Sequence, residues 1–396
     1  MSQAISRPFD GLRVIDLGRE LGAYAARLFA DLGADVIRVE PAGDAAGRGT
    51  PAVPGLAGDA RYSFLNANKR AIAVDLDGEA GQGVLRDLVG TASIVVLEGQ
   101  AGKALLPLVL GVPGSRVVTL LSHFGLDGPY AGYEGSDLVD QALGGIAWMS
   151  GHPGEPPLRI AGEQAGTVAS LYAAVATSLC LYDIEVNDAG SHLVDVSAQE
   201  CIAHSLQNAL QVWDLEQRVS VRGGIGTRDA TEQVLPCVDG FVFVASSLGI
   251  PASWKGIIAW MTEEGHPGGQ RFAEADWQNR KLRTTEAMHA EFRAVFGSFI
   301  ADRTASDLRT EALRRKIILA PVSRVADLPE DPQLVFRRFF RDVPHPAIGR
   351  ALRFPGAPYR LSEPVWSIDR PAPQPDEHGD EILNRTQAAT AQGGRR

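Results

Sequence analysis

Carboxylates at the start of a helix can act as nucleophile, base or cap, and the stretch 151–182, GHPGEPPLRIAGEQAGTVASLYAAVATSLCLY, offers one. Glu163, Gln164 and Gly166 form a polar, glycine-bearing turn, and from Thr167 the chain is apolar with no charge until Asp183. The first turn of a helix has backbone N–H groups without intrahelical partners, so an acid or an anionic ligand at 163–166 meets donors and a positive dipole end. Taken alone, the stretch reads as an ordinary helix start with Glu163 as a capping acid. Asp137 is a second acid in the first turn of a predicted helix, Ser136 to Met149, where capping is again the plain reading. His123 stands in a glycine-rich loop, SHFGLDGPYAGYEG, and reads as a surface histidine.

Two further groups suit ligand binding. The loop Gly18–Gly22, which includes Arg19 and Leu21, follows a predicted first strand, the place where open α/β sheets bind ligands, although it is not GxGxxG. Lys69 and Arg70 form a basic pair beside a predicted strand edge, able to grip phosphates or to be plain surface.

The elements that must hold these residues follow from hydrophobic spacing. Leu12–Leu17, a helix marked by Tyr24, Leu28 and Leu32, and Val36–Val39 make a βαβ unit. Strands are also predicted after Asn66, at Ser93–Leu97, Arg116–Leu121 and Ser191–Val196, with helices between them. Alternating strand and helix predicts an α/β class. The run beginning at Thr167 is apolar all round and predicts a buried helix. From Val234 the pattern changes to a hairpin around Asp239–Gly240 and then charged helices, a second α+β domain over about 225–320. The large domain is expected over 1–224 and again over 321–386, with a strand near Ile317–Arg324, a final helix over Pro332–Phe340 and a disordered tail over 387–396.

The chain has 396 residues and a formal charge of -10, with no Lys/Arg-rich run, which argues against nucleic acid and anionic membranes as partners. Leu171–Tyr182 is the longest apolar candidate and is too short to span a bilayer. MSQAISRPFD lacks the apolar core of a signal peptide, so a cytoplasmic location is the expectation. Cys180, Cys201 and Cys237 lack the spacing of a zinc site or a disulfide framework. No metal site is expected.

Together, GLRVIDLGRELGAYAARLFADLGADVIRVEP, NANKRAIAVDL, SHFGLDGPYAG, GSDLVDQALGG, LYAAVATSL, HLVDVSAQE and APVSRVADLPEDPQ resemble the family III CoA-transferases, the CaiB/BaiF group. Formyl-CoA transferase, carnitine CoA-transferase and the α-methylacyl-CoA racemases belong to it. The resemblance implies a Rossmann-like large domain with an inserted smaller domain, and two subunits interlocked as rings. It implies acyl-CoA and a carboxylic acid as substrates, CoA as no covalently bound cofactor, and an aspartate that attacks the thioester. In the transferase frame that aspartate's place is Gly166; in the racemase frame the catalytic acid falls on Glu163, and the racemase histidine is Ser136. Asp137 matches an acidic position of the family. Lys69, Arg70 and Arg38 match basic positions that contact CoA in relatives, with Gly18, Arg19, Leu21 and Gly22 beside them. Three readings follow: Glu163 as the nucleophile of a CoA-transferase, a non-catalytic subunit paired in a heteromer with a paralogue that carries the aspartate, or an isomerase, lyase or hydrolase on an acyl-CoA with Glu163 as base and Asp137 or His123 assisting.

Overall fold

The computed structural model describes residues 6–43, 46–152, 154–206, 208–222 and 228–393. The expected boundary at 224/225 lies outside them. The chain divides into two units: one comprises 1–147, 159–208 and 332–396, the other 148–158 and 209–331.

The larger unit is built on six parallel strands: β1 (Arg13–Asp16), β2 (Asp35–Pro41), β3 (Arg70–Val74), β4 (Ile94–Glu98), β5 (Val117–Ser122) and β6 (His192–Ser197). Their order, β3-β2-β1-β4-β5-β6, is that of a doubly wound sheet, so the α/β class and the Rossmann-like large domain are observed. The helices between them are α1 (Ala23–Asp31), α2 (Ala60–Leu65), α3 (Glu79–Gly90), α4 (Gly99–Leu110), α5 (Asp137–Leu143), the single turn α6 (Ile146–Met149) and α7 (Gln164–Asn187). Branched residues of β1, β2, β4 and β5 fill both faces of the sheet, since a parallel strand is covered on each side. Strand order reverses between β1 and β4, and the crevice at their carboxyl ends is where such sheets bind ligands.

The long helix α7 corrects the expectation of a fully buried helix. Its inner face is a run of small residues, Ala165, Gly166, Ala169, Ser170, Ala173 and Thr177, which lets it lie close against α1 and the sheet. Its outer face exposes Leu171, Tyr172, Val175, Leu179, Tyr182 and Val186. The helix is also longer than the apolar run Leu171–Tyr182 suggests: at 24 residues it passes, by length and composition alone, as a membrane span. In the unit it serves as the crossover between β5 and β6.

The smaller unit has an antiparallel sheet of β7 (Gln233–Cys237), β8 (Gly240–Val244) and β9 (Leu319–Pro321) over an aromatic core. Trp254, Trp260, Phe272, Trp277, Phe292 and Phe296 are all buried there, so Trp254 and Phe272 are core residues. The strand expected at Ile317–Arg324 is β9, and it pairs with β8. Back in the larger unit, the helix expected over Pro332–Phe340 stops at Phe336, and Phe340–His345 is a strand paired with Arg350–Pro355. The last helix, Gly379–Gly393, runs through residues whose composition suggested disorder.

One contact joins α7 to the sheet directly: the hydroxyls of Thr119 and Thr177, both buried, lie 2.6 Å apart. Replacing either threonine alone by valine strands the other hydroxyl and is expected to cost about 1–3 kcal/mol. The double variant should recover most of that loss, read as a positive coupling in a double-mutant cycle of urea denaturation.

Candidate functional site

Glu163 occupies the N-cap position of α7 at φ -88 and ψ 71, and its side chain does not cap the helix. Its carbonyl accepts from the Thr167 amide and hydroxyl, while its carboxylate is 43% exposed and lies 3.6 Å from the Arg159 guanidinium. Gln164 turns back to the Ala161 carbonyl at 2.9 Å. The cap of α7 is supplied from another helix. Asp137, buried in the first turn of α5, accepts from the Ala165 amide at 2.8 Å and from the Gln141 side-chain amide at 2.7 Å. Arg159 sits 3.3 Å from the same carboxylate, so it links Asp137 to Glu163. The plain reading of Asp137 as a cap of its own helix is therefore corrected: Ser136 caps α5 and Asp137 holds α7.

Gly166 is packed against backbone. A Cβ at this position would stand 2.6 Å from the Glu20 carbonyl oxygen, inside any real contact distance. The loop that places Glu20 there is held firmly. Its amides at Arg19, Glu20 and Gly22 donate to the Glu98 carboxylate at 2.5, 2.9 and 2.9 Å. The Gly18 amide donates to Asp16 at 2.8 Å, and Ser170 of α7 donates to the Leu21 carbonyl. In doubly wound sheets the amides at the start of the first helix receive a ligand's pyrophosphate. Here a carboxylate from the end of β4 takes them, so a ligand in the crevice meets the loop by contacts other than these three amides.

The predicted basic contacts are also turned inward. Lys69 is fully buried and donates to Asp16, the Ala23 carbonyl and the Asn66 side chain at 2.7–3.0 Å. Burial pushes its ammonium down to about 8, against the pull of Asp16. Arg70 is buried and paired with Asp35 at 2.7 Å, with Glu381 farther off. Neither is available to a phosphate. Arg70 begins β3, which is the edge strand of the sheet as the spacing suggested, but both side chains turn inward to acids of other strands. Arg38, also buried, bonds Glu40 at 2.7 Å and the Gly18 carbonyl at 2.6 Å. Unlike the other two, it lines the crevice.

The crevice is a cavity of about 480 Å³ between the loop after β1 and the start of α4. Gly18, Arg19, Leu21 and Arg38 line it, together with Glu20, Glu98, His123 and Glu134, so four of the seven predicted CoA contacts share one space. Sequence reasoning missed Glu98, whose position at the carboxyl end of a switch-point strand was the available signal. It also missed the pairing of His123 with Asp140 at 2.8 Å. Burial alone would lower the imidazolium pKa, but the hydrogen bond and charge of Asp140, with Glu98 and Glu20 beyond, outweigh it and the pKa is raised. Among the described residues no group of three His, Cys, Asp or Glu could hold a metal ion.

The profile of CoA-transferase family III matches residues 9–379. The chain is 36% identical to the succinyl-CoA:(R)-benzylsuccinate CoA-transferase subunit BbsE of Thauera aromatica, over 96% of this chain and 94% of that one. It is 26% identical to a succinate–glutarate CoA-transferase of Agrobacterium fabrum, over 95% of both chains. A crystal structure of a CAIB/BAIF family protein from Brucella suis superposes with a TM-score of 0.84, at 24% identity, over 96% of this chain and 100% of that one. The strand order, the crevice at its switch point and a match across almost the whole length agree, and the chain belongs to CoA-transferase family III.

Proposed function

We propose that this chain works in the transfer of CoA from an acyl-CoA to a carboxylic acid, and the observation that carries this reading is the family match across residues 9–379. Relatives named for succinyl-CoA, succinate, glutarate and citramalate support a dicarboxylic acid on at least one side of the exchange. The CoA moiety lies along the crevice lined by Gly18, Arg19, Leu21 and Arg38, held by contacts other than the loop amides.

The chemistry needs a carboxylate near the start of α7. Its oxygen attacks the thioester carbonyl, the C–S bond breaks with its electron pair on sulfur, and an anhydride forms. The thiolate then attacks the enzyme's own carboxyl carbon of the anhydride, the C–O bond to the acyl group breaks, and the donor acid leaves behind an enzyme–CoA thioester. Glu163 is the acid this chain offers, but it is half-exposed and paired with Arg159. A specific observation favours a second source. The Glu20 carbonyl fills the space beside Gly166, so the position that holds the nucleophile in the transferase frame has no room for a side chain. The reading that follows is a subunit that acts beside a paralogue bearing the nucleophile. The exposed apolar face of α7 and the relatives named as subunits support such an association.

Two experiments test this reading. Incubation with succinyl-CoA followed by hydroxylamine or borohydride trapping should leave Glu163 unmodified, and Glu163→Gln should retain turnover once the partner subunit is added. An adduct on Glu163 would assign the nucleophile to this chain. Gly166→Asp should not confer transferase activity on the isolated chain and should lower stability by about 1–3 kcal/mol through overpacking. A variant as stable as the wild type in urea would mean that the 18–22 loop retreats to admit the side chain.

A further inference from the structure

Helix α5 carries two acids one turn apart, and each is directed at a different element. Asp137 holds the start of α7, as described. Asp140 is fully buried, with Oδ2 on His123 Nδ1 at 2.8 Å and Oδ1 without a hydrogen-bond partner among the described residues. His123 follows β5, and its backbone is pinned because its carbonyl accepts from the Gln199 amide at 3.0 Å and the Ser197 hydroxyl at 3.3 Å. Its ring stands in a slot that Gly135 leaves open, since a Cβ there would lie 2.4 Å from His123 Cγ. A buried carboxylate on Nδ1 fixes that nitrogen as the N–H, so Nε2 is the edge left for the crevice that His123 lines. A histidine oriented by an otherwise unengaged buried acid, in a glycine-made slot, exceeds what folding a surface loop requires.

The same crevice abuts the start of α7, because Glu20 lines the cavity and also touches the Cβ position of Gly166. A thioester presented to a carboxylate at that turn therefore has its sulfur on the crevice side. We propose that His123 is the proton-carrying ligand of the CoA sulfur, an imidazolium whose Nε2–H receives the thiolate released when the thioester opens. This rests on the reading that the chain binds a CoA thioester. The attacking carboxylate forms the new C–O bond, the C–S bond breaks, and the sulfur takes the electron pair. The Nε2–H donates to that sulfur and can pass its proton over, which gives the thiol and a neutral imidazole. The reverse transfer restores the thiolate for its attack on the enzyme's carboxyl carbon of the anhydride, so no proton is consumed across the cycle. Asp140 is a positioning residue, since it acts through His123.

The charge around the ring suits a cation. Asp140 of α5, Glu98 of β4, Glu20 of the loop after β1 and Glu134 ahead of α5 are the acids of this neighbourhood, and Arg19 and Arg38 are the cations lining the same cavity. Because the imidazolium pKa is raised, the contact persists to higher pH than an ordinary histidine would allow and is lost as pH rises through that raised value.

Calorimetry with CoA and with desulfo-CoA on the full chain, joined by its partner subunit where one co-purifies, tests the proposal. At about pH 6, below the ordinary histidine value and so below the raised one, the wild type should bind CoA at least about tenfold more tightly than desulfo-CoA, the scale of one charge-assisted hydrogen bond. His123→Gln should bind the two alike. The thiolate absorbance of bound CoA should appear at lower pH on the wild type than on His123→Gln, and Asp140→Asn should lose its preference for the thiol at lower pH than the wild type. Equal affinity of folded wild-type protein for CoA and desulfo-CoA overturns the role of His123. Binding of neither overturns instead the reading that this chain takes a CoA thioester. The comparison on the wild type needs no variant, so a misfolded His123→Gln leaves the test intact.

Discussion

The carboxylate of Glu98, seated on the amides of Arg19, Glu20 and Gly22, sets the geometry of everything at the switch point. It supplies the negative charge that the positive end of α1 favours. In doing so it fixes the course of the 18–22 loop, which decides where the Glu20 carbonyl points and how closely α7 can approach. Gly166 and Ser170 of α7 are both in contact with that loop, one by absence of a side chain and one by a hydrogen bond to Leu21. A single acid at the end of β4 thus governs the crevice floor and the start of the helix that carries the candidate turn.

A second theme is the inward use of charge. Asp16, Lys69, Arg38, Glu40 and Arg48 form a buried chain of ion pairs beneath the same loop. Pairs like these cost desolvation and return it only with good geometry and satisfied hydrogen bonds. Lys69 meets that condition with three acceptors, and Asp16 is shared between Lys69 and the Gly18 amide. The network positions the loop from below as Glu98 does from the side.

The parallel sheet was legible because its central strands are short, nearly continuous apolar runs, whereas α2 (Ala60–Leu65), inside a Gly-, Ala- and Pro-rich stretch, was not. The hairpin of the smaller unit was legible from Asp239–Gly240. Burial of individual charged residues was not: Lys69 and Arg70 follow a polar Asn-rich turn, and nothing local says that Asp16 and Asp35, far away in sequence, will meet them. Likewise α7 is apolar on both faces, and composition cannot tell its small-residue inner face from the outer one that exposes Tyr182. The turn at 163–166 was located correctly in the chain, yet the partners that define it, Asp137, Arg159 and Glu20, come from other elements. His123 was visible only as a residue in a loop, since its meaning depends on Asp140 and on the slot left by Gly135.

The contact between Gly166 and the Glu20 carbonyl has a bearing on how this turn can vary. A point change that placed a side chain at position 166 would meet a backbone carbonyl, and its accommodation would depend on a prior or simultaneous shift in residues 18–22 and in Glu98. Substitution at the turn is therefore contingent on history: the order in which residues change decides which of them can be tolerated.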